Sequence, residues 1–162
     1  MIFGAILSGG KGGNKSLCFA LKLHIDATSG VIQEYQPQVK SSILRSSSAS
    51  LYSILANTNS ELTGYITEKY EFDPKKVESK LTTAADTARD AMLNDLFVAR
   101  INGNLDRIYA HKMAYEISLI TTEEAKLINS AKDDTLKEIL TKSYTSLEML
   151  YDQFNGFSEA NK

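Results

Sequence analysis

From Leu136 to Phe154 the apolar residues Leu136, Ile139, Leu140, Tyr144, Leu147, Leu150, Tyr151 and Phe154 recur at three- and four-residue steps. That period draws one stripe along an α-helix and leaves the remaining faces polar. A helix of this kind gains little stability alone and must bury its stripe against neighbours, so the chain has to be a layered helical or mixed domain. Asp133 and Asp134 stand just before the stripe as caps, and Gly156 follows it as a stop.

The same spacing extends backwards. Ile43, Leu44, Leu51, Ile54, Leu55, Leu62, Tyr65 and Ile66 predict one or two helices across 38–70, within a stretch holding seven serines between Ser41 and Ser53. Asp73-Pro74 supplies a cap and a first-turn proline. Val77, Leu81, Ala84, Ala88, Ala91 and Val98 then keep heptad spacing, widened by Leu96, Phe97 and Ile101, until Asn102-Gly103-Asn104 interrupts. A helix over 105–120 places Ile108, Met113, Ile117 and Ile120 inward, and Thr121 with Glu124 fits a capping box opening a short helix over 123–131. These segments together predict an antiparallel bundle.

The N-terminal part reads differently. In CFALKLHID, Phe19, Leu21, Leu23 and Ile25 alternate with Ala20, Lys22, His24 and Asp26, the period of a strand. The turn-rich Asp26–Gly30 leads to a second run, Val31–Tyr35, which predicts a β-hairpin. With the apolar MIFGAIL as a further strand, the sheet has three short strands. The expected fold is α+β and mostly α: an arm at 1–16, a hairpin at 17–37 and a helical bundle at 38–162.

Ahead of the hairpin lies GGKGGNKS, Gly9 to Ser16. A phosphate loop needs glycines whose N–H groups wrap the phosphates, a lysine for the outer oxygens and a hydroxyl for magnesium. KGGNKS resembles the signature-lysine loop of the ParA/MinD-type ATPases, which implies a nucleotide cradle of Gly9, Gly12, Lys15 and Ser16. Asn14 stands where that pattern wants a glycine, and a phosphate loop must open a helix rather than a strand. The glycines then read as a joint between MIFGAIL and the hairpin.

Other chemistry is sparse. His24 falls on the polar strand face, and His111 lacks a carboxylate three or four residues away, so neither predicts a metal site. Cys18, the single cysteine, cannot form an internal disulfide and reads as small core filler. Glu123-Glu124 and Asp133-Asp134 sit at expected helix starts, where they complement the dipole. Tyr109, Tyr115, Tyr144 and Tyr151 read as core or interface residues, with a ligand pocket near Tyr109 and Tyr144 as one alternative use.

Residues 1–70 carry six basic and four acidic side chains, and 71–162 carry twelve and sixteen, giving balances of +2 and −4. Neither half has the positive face expected of a nucleic-acid binder. No apolar run approaches the ~18 residues of a membrane span, and MIFGAIL lacks the leader and cleavage pattern of a secretory signal. The expected function is therefore non-enzymatic and cofactor-free. The chain reads as a structural subunit or adaptor of a homo- or hetero-oligomeric assembly, a virion or secretion-type machine, in the cytoplasm or in a particle assembled there. The opening MIFGAILSGG loosely resembles small internal proteins of bacterial viruses. Ile2, Phe3, Ile6, Leu7, Leu147, Leu150, Tyr151 and Phe154 are the expected interface residues. The alternatives are a phosphate- or nucleotide-binding enzyme using 9–16 and a helical ligand-binding or sensor domain.

Overall fold

The expected hairpin is a helix. The computed structural model describes residues 13–70 and 79–161, and its first element, α1, runs unbroken over Asn14–Tyr35. Cys18, Leu21, Ile25, Thr28, Ile32 and Tyr35 are buried at alternating three- and four-residue steps, and Ala20, His24, Ala27 and Val31 form a second buried row beside them. The alternation at 19–25 is a seven-residue fragment of that wider pattern: Phe19 and Leu23 are only half-buried, while "polar-face" Ala20 and His24 are fully inside. α1 packs on three neighbouring helices, so its apolar surface wraps too far round the axis to leave a clean stripe. Gly30, read as a turn, sits inside the helix, a placement that costs roughly 1 kcal/mol relative to alanine and is overridden by the burial around it. Among the described residues there is no strand.

A short 3₁₀ turn, Gln36–Gln38, leads into α2 (Ser42–Tyr70), a single helix whose buried row is Leu44, Ser48, Leu51, Leu55, Thr58, Leu62 and Ile66. α3 covers Ser79–Ile101 and buries Ala85, Met92, Leu96 and Ala99. This row is turned from the expected one, and Phe97, Val98 and Ile101 face outward. Gly103 at φ +73° makes the tight corner into α4 (Leu105–Ser130). α4 does not break at 121. The Thr121 hydroxyl donates back to the Ile117 carbonyl at 2.9 Å inside one continuous helix, so no capping box forms there. α5 (Asp134–Ala160) is capped as expected, with the Asp133 carboxylate accepting from the backbone N–H groups of Thr135 and Leu136.

Four helices close a ring: α1 against α2, α2 against α5, α5 against α4, and α4 against α1. Cross-links fix each as antiparallel. Gln33 reaches Tyr52 and Asn59 reaches Asp26, while Ser47 reaches Gln153 and Lys142 reaches Glu61. Because α2 and α4 run the same way, the chain must cross back between them, and α3 makes that return along the outside groove of α1 and α4. The Tyr35 hydroxyl donates to the Leu93 carbonyl at 3.1 Å and the Lys112 ammonium pairs with Asp95, tying the crossover helix down. Among the described residues no helix is long and apolar enough to cross a membrane.

Candidate functional site, a buried histidine and carboxylate seam

Where α1 meets α4, charge replaces hydrocarbon. Glu116 and Glu123 lie two turns apart on α4 and therefore share a face. The His24 ring from α1 sits between them: Nε2 is 2.7 Å from Glu116 Oε2, and Nδ1 is 3.0 Å from Glu123 Oε2. The three side chains are 1 %, 9 % and 5 % exposed. An ionised carboxylate only accepts hydrogen bonds, so with both glutamates ionised the ring must donate from both nitrogens, as an imidazolium. Burial opposes that charge. The hydrogen bonds to Glu116 and Glu123, with their negative charge, outweigh it and lift the His24 pKa to about 9.

Glu124 completes the seam on the adjoining flank of α4. It is wholly buried, and neither of its oxygens has a hydrogen-bond partner among the described residues. Burial raises its pKa to about 8, the charge on Glu123 adds to the rise, and the nearby Ser143 hydroxyl of α5 draws it partly back. Near neutral pH these shifts favour a charged His24 imidazole and an uncharged Glu124 in the seam. Thr28, one turn beyond His24 on the same side of α1, also buries a hydroxyl that has no hydrogen-bond partner among the described residues.

Glu123-Glu124 is not a helix-start pair, and His24 does not lie on an outer polar face. Sequence reasoning missed this seam because the hairpin put His24 on a sheet and the capping box put Glu124 at a helix end. The signal that would have found it is the spacing Glu116–Glu123 within one long apolar helix. The chemistry of the seam is that of a fastener. Both ring nitrogens are engaged, and His24 and Glu124 are 0 % exposed, so a substrate could not reach them without displacing α1. Among the described residues no cluster of histidine, cysteine, aspartate or glutamate is arranged to hold a metal ion.

The other expected site residues disperse. Leu147, Leu150 and Phe154 are buried in this chain's own core, and Tyr151 is half-buried against it. Ile2, Phe3, Ile6, Leu7, Gly9 and Gly12 lie outside the described residues. Lys15 and Ser16 fall in the first turn of α1, the Lys15 ammonium lying 6.0 and 5.9 Å from the ring centroids of Phe19 and Tyr70. The objection that the glycines open a strand thus falls, because they precede a helix. Cys18 is buried, and desolvation pushes its thiol up to about 12, which removes it as a nucleophile near neutral pH. Tyr109 is buried edge-on to Phe154, ring centroids 6.4 Å apart. Tyr144 lies ten residues before Phe154 on α5, about 15 Å along the axis, so the two tyrosines do not share a pocket. His111 is exposed. Compared with known protein families, with curated proteins and with solved structures, the chain matches none.

Proposed function

We propose that this chain is a non-enzymatic, contact-making helical protein, a subunit or adaptor whose outward face lies on α3. The observation carrying this reading is the apolar edge of that crossover helix. Phe97, Val98 and Ile101 are 46 %, 46 % and 65 % exposed on the side opposite Leu96 and Ala99. A helix that is apolar on both sides is covered on both sides in an assembly. The histidine and carboxylate seam, by contrast, is shut inside the fold. The setting proposed is the cytoplasm or a particle assembled there, which the free thiol of Cys18 fits.

Native mass spectrometry with light scattering tests this. The expected result is an oligomer, or a complex with a co-purified subunit, that Ile101→Asp disrupts while helicity is unchanged. A monomer at every concentration that retains no partner overturns it.

A second reading, phosphate binding at 9–16, is favoured by one observation: α1 begins at Asn14, directly after the glycines. Under it Lys15→Ala abolishes nucleotide binding. Absence of nucleotide binding by the unaltered chain removes this reading.

A further inference from the structure

At the end of the bundle away from Asn14, three separate segments each bring a cation to one cleft. Lys40 comes from the link between α1 and α2, Arg100 from the last turn of α3, and Arg107 from the first turn of α4. The cleft encloses about 420 Å³, within the range of small-ligand sites.

Like charges brought together from three segments repel unless something opposes them. Within the cleft the carboxylate of Asp106 opposes them only in part, one negative charge against three positive. The carboxylate that lines the cleft, Asp106, accepts from the backbone N–H of Lys40 at 2.9 Å and of Ser41 at 2.7 Å. Those bonds pin the link against α4 and so hold Lys40 at the rim. Arg100 donates to the Gln38 side-chain oxygen at 2.7 Å and lies 5.2 Å from the centroid of the Phe97 ring, two uncharged partners that orient its guanidinium. Lys40 and Arg107 have no ion pair among the described residues, whereas Lys22, Lys69, Arg89 and Lys112 each face an aspartate. On a chain of net charge −2, the lining of this cleft sets three cations against one carboxylate.

We propose that this cleft binds a phosphate group, with Arg107 and Arg100 as its forked donors and Lys40 as a point charge. The phosphate belongs to a soluble phosphorylated molecule or to a phospholipid headgroup, and the two share the chemistry the cleft reads. The inference does not rest on the contact role proposed for α3, although Arg100 and Phe97 belong to that helix.

Calorimetric titration of the full chain with inorganic pyrophosphate at low salt tests the soluble source. Co-sedimentation with vesicles of phosphatidylcholine and phosphatidylserine in equal parts tests the headgroup. Saturable binding in either arm is expected. Arg107→Ala and Lys40→Ala should each weaken it by roughly fivefold or more, the effect of losing one charge-assisted contact. Arg107→Lys should retain part of it, and Lys132→Ala, an exposed cation on the α4–α5 link, should change nothing. Circular dichroism establishes that each variant is folded, and a misfolded Arg107→Ala leaves Lys40→Ala to decide. No binding in both arms, or binding that Arg107→Ala and Lys40→Ala leave intact, overturns the proposal.

Discussion

α5 and α1 are both interior-facing helices of one ring, yet they are held by opposite means. α5 meets α2 and α4 through Leu136, Leu140, Leu147, Leu150 and Phe154, a row of hydrocarbon broken by Ser143. α1 meets α4 through an imidazole clamped between two carboxylates, with a third acid buried nearby. Hydrocarbon attracts without direction, so an apolar seam tolerates small shifts of register and substitutions of similar volume. An ionic seam tolerates neither, because each hydrogen bond has one geometry and each unpaired buried charge is costly. The contrast gives each seam a different task. The α5 seam supplies stability, and the α1 seam selects which part of α4 the N-terminal helix must face.

The largest effect should come from removing the central ion. His24→Ala leaves Glu116 and Glu123 buried without their shared partner and should destabilise the fold by about 4 kcal/mol in urea unfolding. A loss below about 1 kcal/mol would show the seam to be hydrated and the contrast false. Next, Leu147→Ala opens a cavity in the apolar seam and should cost about 3 kcal/mol by the same measurement.

Third comes pH. His24 titrates near 9 in the fold against an ordinary 6.5, and Glu124 near 8 against 4.5. For both groups the folded chain binds protons more tightly than the unfolded one, so the stability they contribute is present at low pH and is lost as pH rises. Glu124 sets the fall from 4.5 to 8, and His24 continues it from 6.5 to 9. Between pH 7 and 8 the loss should be on the order of 2 kcal/mol. Glu124→Gln should flatten the lower part of that profile, whereas Leu147→Ala should shift the whole profile without changing its slope. A profile that rises with pH would contradict the protonation states assigned to the seam. The smallest effect belongs to a surface feature of the apolar seam's helix: Asp133→Ala removes the α5 cap and its pairing with Lys69, and should cost about 1 kcal/mol. A thermal shift indistinguishable from zero would place the start of α5 under the control of packing alone.

The sequence legibly encoded the helices whose burial is one-sided. The α5 stripe, the Asp133 cap and the corner at Gly103 could be read directly, because a helix lying on a bundle surface must sort its residues by face. α1 could not be read this way. Packed by α2, α3 and α4, it buries two adjacent rows, and a seven-residue window of such a helix can contain an accidental alternation, as 19–25 does. The break expected at Thr121 failed for a related reason. Thr, Glu and Glu in succession look like a helix start, and the interior role of Glu116 and Glu123 depends on His24, 92 positions earlier than Glu116 in the chain.

What the chain determined by itself was therefore local: where backbone hydrogen bonds close into helices, where they are capped, and how much hydrocarbon each helix must hide. Which helices hide it from one another was decided in three dimensions. The pairing of His24 with Glu116 and Glu123, the return of α3 along the outside, and the gathering of Lys40, Arg100 and Arg107 at one end all join residues far apart in the chain. Electrostatic and hydrogen-bond energies depend on distance and direction in space, and sequence separation carries neither.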